Sequence, residues 1–264
     1  MIQAYQTLER IRKERPLVHH ITNWVTITDC AHITRCTGAL PVMAHAKEEV
    51  AQMTGIAQAL VLNIGTLSPE LVEAMILAGK RANQKAIPIV LDAVGAGATD
   101  LRTDAVREIL DAIHVDVIKG NAGEIATIAG AQAEVRGVES TGIEGDLVAL
   151  AKQLAGSRNA VVVATGESDL VTDAHGGYRI RNGHALMGCV VGTGCMAASV
   201  IASFAAVRPE YCEAAAEALI SYGIAGELAA EHSGGPGTFR AQFFDEIFHL
   251  DEGKLHGRMR VERL

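Results

Sequence analysis

Residues 59 to 92, ALVLNIGTLSPELVEAMILAGKRANQKAIPIVLD, decide the architecture. Ala59–Ile64 and Ile87–Asp92 are short, mostly apolar segments that read as strands. Between them Ser68 offers an N-cap oxygen and Pro69 occupies the first position of a helix. A strand, a long helix and another strand in that order make a crossover, which two parallel neighbours require. Because neither strand alternates apolar with polar, both of their faces should be covered by helices.

Upstream, Ala4–Glu14 reads as a surface helix that Pro16 ends, and Leu17–Asn23 (LVHHITN) as an extended segment. A helix is expected over Trp24–Thr37 with Gly38 as its C-terminal stop, and a third near Lys47–Thr54 stopped at Gly55. Downstream the alternation continues. A helix is expected near Thr103–Ile113, a strand at Val115–Ile118, a helix from about Asn121, another over Asp146–Ala155, and a strand at Ala160–Ala164. Leu170–Thr172 and Tyr178–Arg181 flank Ala174, His175, Gly176 and Gly177, a hairpin signal that adds antiparallel strands late. Three Ala-rich helices follow, Thr193–Val207, Ala214–Glu231 and Ala241–Phe248. The expectation is one α/β domain over residues 1–264, with a mostly parallel central sheet and helices on both faces.

The 264 residues carry a formal net charge of −8, with 49% hydrophobic and 20% charged residues. This is a globular composition, and its scattered Lys and Arg form no stripe that would neutralise a nucleic acid backbone. Five cysteines do not suit a small disulfide-stapled domain. The N-terminus lacks a basic start followed by an apolar run, and no apolar run reaches the roughly 18 residues of a membrane span. These features point to a cytoplasmic protein with no membrane or nucleic acid partner.

In open α/β sheets, ligands bind beyond the carboxyl ends of the strands. Asp92, the run Lys119–Glu124 and Thr165-Gly166-Glu167 follow expected strands, and Gly192-Thr193-Gly194-Cys195 opens an Ala-rich helix. The last turn can aim successive N–H groups and a helix dipole at one anion, although small residues there also permit close helix packing. Asp92 and Glu124 with Asn121 suit a Mg²⁺ ion that keeps several waters. They serve equally as a loop cap and a first-turn helix acid. Lys119 is either a strand-end lysine or a phosphate contact. Three other chemistries are disfavoured. Gly95–Asp100 ends in Asp where a dinucleotide fingerprint needs Gly or Ala, no G-x-x-x-x-G-K-[ST] occurs, and the Cys and His spacings suit no zinc site.

The segments LVHHITNWV (17–25), ALPVMAHAKEEV (39–50), LDAVGAGA (91–98), IKGNAGEI (118–125), VVATGE (162–167), GTGCMAAS (192–199) and GPGTF (235–239) resemble hydroxyethylthiazole kinases across nearly the whole chain. The resemblance implies a ribokinase-like fold and ATP-dependent phosphorylation of 4-methyl-5-(2-hydroxyethyl)thiazole in thiamine salvage. It also implies a homotrimer with active sites between subunits. Asn23, Met43 and Gly192 would line the substrate pocket, Lys119, Thr165 and Gly194 would contact ATP, and Asp92 and Glu124 would hold Mg²⁺ directly or through water. Lys119 stands where many relatives have arginine, and Cys195 where the wider superfamily usually has aspartate. Cys195 is expected to act as general base, its thiol acidified by the helix start. Rival readings are a ribokinase-like kinase of a pyrimidine or pyridoxal alcohol, a nucleotide-binding regulator without turnover, and a lyase of hydrated nicotinamide cofactors.

Overall fold

The structure, a computed structural model, describes residues 2–130 and 143–264, apart from the side chains of residues 143–146. Its sheet contains β1 (Leu17–Ile21), β2 (Leu40–Val42), β3 (Ala59–Asn63), β4 (Ile89–Asp92), β5 (Val117–Asn121), β6 (Val161–Thr165), β7 (Asp169–Thr172), β8 (Gly177–Ile180) and β9 (Val261–Arg263). They lie in the order β2-β1-β3-β4-β5-β6-β7-β8-β9. The first six run parallel, and β7, β8 and β9 are added antiparallel. The late hairpin is therefore where the turn residues placed it.

Side chains of β3 explain the two layers of helices. Ala59 and Val61 enter one hydrophobic cluster, while Leu60 and Leu62 enter another on the opposite face. The first cluster holds residues of α1 (Ala4–Glu14), α2 (Ile27–Thr37), α8 (Thr193–Ala205), α9 (Tyr211–Glu231) and α10 (Pro236–Phe248). The second holds residues of α3 (Val50–Ile56), α4 (Pro69–Lys85), α5 (Asp100–Ala112), α6 (Ala122–Ile128) and α7 (Ile143–Arg158). Small strand residues face α8, whose Gly, Ala and Ser content permits a close approach to the sheet.

The chain moves outward from β1 to the edge strand β2 through α2 and returns across to β3 through α3, so its direction along the sheet reverses between β1 and β3. A crevice opens beyond the carboxyl ends at such a reversal.

Several boundaries differ from the sequence reading for local reasons. α2 begins at Ile27 rather than Trp24, because Asn23 Oδ1 accepts the N–H groups of Val25 and Thr26 at 3.0 Å each and holds a turn before the helix. α3 covers Val50–Ile56 and passes through Gly55. α5 starts at Asp100 because Thr99 caps it by accepting from Arg102 N. α10 starts at Pro236, a proline again in the first turn. The short elements β2, β9, the 3₁₀ turn Ala185–Cys189 and α11 (Glu252–Leu255) have too few residues to show a period.

His19 and His20, adjacent on β1, point to opposite faces and are fully buried. His19 Nδ1 meets Thr54 Oγ1 at 2.9 Å and its Nε2 meets Ala44 O at 2.8 Å. His20 Nδ1 meets Val18 O at 3.0 Å and its Nε2 meets Ser199 Oγ at 3.1 Å. Burial lowers the pKa of His19 to about 4 and that of His20 to about 3. Both rings are neutral in the fold but protonate near 6.5 once unfolded. The unfolded chain thus binds more protons below pH 6.5, and each histidine withdraws about 2 kcal/mol of stability between pH 7 and pH 5. Asp169 opposes this over part of the range, because burial raises its pKa to about 6. We predict that His20→Gln flattens the loss of stability between pH 7 and pH 5 in urea titrations. A variant with the wild-type slope would refute the neutral, buried assignment.

Candidate active site

Four polar side chains form a row across the carboxyl edge of the sheet. Asn23 follows β1, Asn63 ends β3, Asp92 ends β4, and Lys119 lies in β5, with Asn63 paired to Asp92 and Asp92 to Lys119 by strand register. Asn23 Nδ2 donates to Asn63 Oδ1 at 3.0 Å, Asn63 Nδ2 to Asp92 Oδ2 at 2.7 Å, and Lys119 Nζ to Asp92 Oδ1 at 2.9 Å. All four residues are buried, Asp92 completely. Both oxygens of Asp92 accept N–H donors, an arrangement that a carboxylate satisfies and a carboxylic acid does not. Burial alone would strip the proton from Lys119, but the carboxylate beside it prevails and raises the lysine pKa.

Above this row stands the start of α8. Gly192 caps the helix with φ of 98°, a left-handed conformation that glycine adopts without strain. A Cβ there would lie 2.6 Å from Thr26 Cγ2, so the turn seats directly on the start of α2. Thr193 Oγ1 donates to Met187 O at 2.9 Å, and Tyr222 OH donates to Thr193 O at 2.7 Å, which pins the turn from two sides. The first helical N–H with an intrahelical acceptor is that of Met196, bonded to Gly192 O at 2.8 Å. The N–H groups of Thr193, Gly194 and Cys195 therefore face out of the helix start. A Cβ on Gly194 would stand 3.3 Å from Lys119 Nζ, so the ammonium lies close under the same turn. Backbone donors, helix dipole and one cation converge there on a single anion site.

Cys195 Sγ lies 3.4 Å from Asn23 Nδ2, at the start of α8. Its thiol is not acidified as the sequence suggested. Burial pushes its pKa up and the negative charge of Asp92 adds to this, outweighing the opposing pull of Thr26, Asn63 and Lys119. The helix start favours a thiolate, but burial, with a carboxylate alongside, disfavours it more. The resting group is a thiol.

Glu124 sits at the third position of α6, where it completes a capping box with Asn121. Its Oε2 accepts from Asn121 N at 2.6 Å, and its Oε1 from Gly95 N at 2.7 Å. The capping reading and the functional reading thus describe one carboxylate, which ties the loop after β4 to the end of β5. Among the described residues, no three His, Cys, Asp or Glu side chains form a group able to hold a metal ion. The donors present fit Mg²⁺ only as an ion carried mainly by phosphate oxygens and water, with the two carboxylates as partners of its shell.

A cavity of about 730 Å³ opens beside the anion turn. It is lined by Thr165, Gly166, Asp169, Asn182, Met187 and Tyr222 among others, and also by Gly194. A second, of about 630 Å³, shares Thr165, Gly166, Glu167 and Arg181 and continues past Asn121. Both have the size of small-molecule sites. Thr165 Oγ1 donates to Gly120 O at 3.3 Å, which fixes the end of β6 against β5.

Of the residues singled out from sequence, Asn23, Asp92, Lys119, Gly192, Gly194 and Cys195 meet in one cluster. Glu124 and Thr165 border it. Met43 stands apart, half-buried just beyond edge strand β2, and lines neither cavity. Sequence reasoning missed Thr26, Arg102 and Asn63. Arg102 donates to the carbonyls of Ile64, Val94 and Gly65 and so clamps the loops after β3 and β4. Asn63 had a usable signal, since it ends an apolar strand in the same way as Asp92.

A family model described as the hydroxyethylthiazole kinase family matches residues 8–253. The hydroxyethylthiazole kinase of Methanosarcina mazei is 56% identical, with 97% of this chain and 98% of that protein aligned. The one from Thermoanaerobacter pseudethanolicus is 51% identical over 97% and 98%. A solved hydroxyethylthiazole kinase from Pyrococcus horikoshii superposes with a TM-score of 0.92 at 40% identity, covering 99% of this chain and 98% of its own. A pyridoxal kinase from Staphylococcus aureus in complex with ADP gives 0.66 at 14% identity, covering 94% and 99%, a likeness of fold alone.

Gly192→Ala should force a side chain onto Thr26 and cost about 1–2 kcal/mol through its left-handed backbone. Moving the anion turn by about an ångström should lower kcat by about 10²-fold. Steady-state kinetics with a thermal melt would check both, and an unchanged kcat would show that the turn does not need this conformation.

Proposed function

The chain belongs to the hydroxyethylthiazole kinase family, and we propose that the cluster around the start of α8 is where it performs that family's reaction. The enzyme phosphorylates the hydroxyethyl alcohol of 4-methyl-5-(2-hydroxyethyl)thiazole, using ATP and releasing ADP, an activity that serves thiamine salvage. The observation that carries the site assignment is the convergence of the Gly192–Cys195 N–H groups with Lys119 beneath them. An assay coupled to ADP release tests the function. ADP should appear only when the thiazole alcohol is present, whereas alcohol-independent release or none would sink the reading.

In the reaction the alcohol oxygen bonds to the γ-phosphorus, the bond to the β,γ-bridging oxygen breaks, ADP departs and the hydroxyl proton is lost. The transferred group carries its charge on equatorial oxygens, so positioning and charge stabilisation supply most of the catalysis. Thr193, Gly194 and Cys195 offer N–H donors to those oxygens, and Lys119 adds positive charge from below. Thr165 and Gly194 line the 730 Å³ cavity that suits the rest of ATP. Asn23 and Gly192 hold the thiazole on the other side, and Met43, which stands apart from them within one chain, completes the pocket of a neighbouring copy. Mg²⁺, when bound with the nucleotide, supplies neutralising charge. Glu124, with Asp92 behind it, would hold the ion through water.

Cys195 is the catalytic residue nearest the acceptor hydroxyl. A thiol with a raised pKa is a poor resting base, yet a loose transition state asks little of one. If the thiolate takes the proton, Cys195→Ala should lower kcat by roughly 10²- to 10⁴-fold with little change in the KM for ATP. Cys195→Asp should then keep or raise activity. An active alanine variant beside a dead aspartate variant would mean that only the backbone N–H of residue 195 is used, and the base assignment would be withdrawn.

A homotrimer with sites between subunits also belongs to this proposal, as does a cytoplasmic location, which five free cysteines suit. Trp24, Val25 and Val191 are exposed apolar residues next to Asn23 and Gly192, and neither cavity reaches Asn23 or Met43. A neighbouring copy would cover that patch and close the acceptor side. Light scattering should give a mass near three chains, and dilution to monomers should abolish turnover. A fully active monomer would remove the shared site.

A further inference from the structure

Asn63 ends β3 with no exposed surface, and every polar atom of its carboxamide is occupied. Its Nδ2 donates to Asp92 Oδ2 at 2.7 Å, while its Oδ1 accepts from Asn23 Nδ2 at 3.0 Å and from Gly65 N at 2.9 Å. The amide has only one tolerable orientation. Turned over, its oxygen would face the Asp92 carboxylate and its NH₂ would face two other donors. Gly65 is part of the arrangement, because a Cβ there would lie 2.9 Å from Asn23 Cβ and 3.0 Å from Asn63 Oδ1.

The orientation is passed on. With Asn63 Oδ1 facing it, Asn23 must present its NH₂ inward, which leaves its Oδ1 to accept from the N–H groups of Val25 and Thr26. Thr26 Oγ1 also donates to that oxygen at 3.1 Å and lies 2.9 Å from Asn23 Nδ2, so the NH₂ group is shared among Thr26 Oγ1, Asn63 Oδ1 and, at 3.4 Å, Cys195 Sγ. A merely satisfied buried asparagine would have no reason to lie between the acceptor side and the ion pair under the anion turn.

We infer that Asn63 is a positioning residue for phosphoryl transfer, turning the donor face of Asn23 toward Cys195 and the acceptor alcohol while it holds Asp92 in place for Lys119. The inference rests on the proposed placement of Asn23 in the acceptor pocket.

The test is a cycle of Asn23→Ala, Asn63→Ala and the double variant, with Asn63→Ser as a milder change should the alanine variant fail to fold. ADP release is measured against varied 4-methyl-5-(2-hydroxyethyl)thiazole at saturating ATP, and circular dichroism confirms folding. Each single change should lower kcat/KM for the alcohol by about 10²-fold. The KM for ATP should change far less, and the double variant should be no worse than the poorer single one, since both act through the same amide. Losses that multiply in the double variant, or folded Asn63 variants with wild-type kcat/KM, would overturn the inference while the acceptor-pocket placement of Asn23 stood. Wild-type kinetics in Asn23→Ala would overturn both.

Discussion

The ion pair of Asp92 and Lys119 is the constraint to which the rest of the site is fitted. Its side chains are 0% and 5% exposed, and taking two such charges out of water costs several kcal/mol each. Their attraction offsets this only when the remaining lone pairs and protons also find partners. Asp92 accordingly takes a second donor from Asn63, and Lys119 lies close under the N-terminal turn of α8. Glu124, the nearest other acid, is instead engaged by backbone N–H groups of two loops. Such a pair is poor evidence for stability, since apolar residues of equal volume would pack there at lower cost. Its value is a fixed cation at the exit of the sheet.

That cation resolves an apparent conflict between a chain of net charge −8 and a triphosphate substrate. Long-range attraction is absent, so the anion must be held by local fields. The helix start contributes partial positive charge in the first turn, and the loop glycines let the backbone approach where side chains would intervene. Asp92 cancels most of the lysine's charge at a distance, while close to the turn the ammonium still acts. A site built this way discriminates by geometry rather than by attracting every polyanion.

Much of this arrangement could be read from sequence because it rests on position. Asp92, Asn121 and Thr165 each end a strand, parallel strands end on one edge, and a Gly-Thr-Gly turn before an Ala-rich helix exposes backbone donors. What could not be read depends on neighbours from distant segments. The direction of the Cys195 shift follows first from burial of the thiol and then from the charge of Asp92, 103 positions earlier, whereas the local helix start argues the opposite. The late start of α2 follows from the side chain of Asn23 capturing two N–H groups, which apolar periodicity does not reveal. Asn63 ends a strand as Asp92 does, so its place at the sheet edge was legible, but its role was not until Asp92 and Asn23 are seen on either side.

A lysine rather than an arginine at 119 is consistent with this geometry. A guanidinium would bring a rigid fork suited to two parallel hydrogen bonds, and it needs room for a plane. Here the space beneath Gly194 is narrow, since even a methyl group there would stand 3.3 Å from Nζ. A compact ammonium can give one hydrogen to Asp92 and turn the others toward the turn and the phosphate. It gives up bidentate grip for a shorter approach to the anion. With fewer directed bonds from the side chain, the N–H groups of Thr193, Gly194 and Cys195 must carry more of the recognition. The left-handed glycine at 192 and the two hydrogen bonds that pin Thr193 are the parts of the fold that keep those groups aligned.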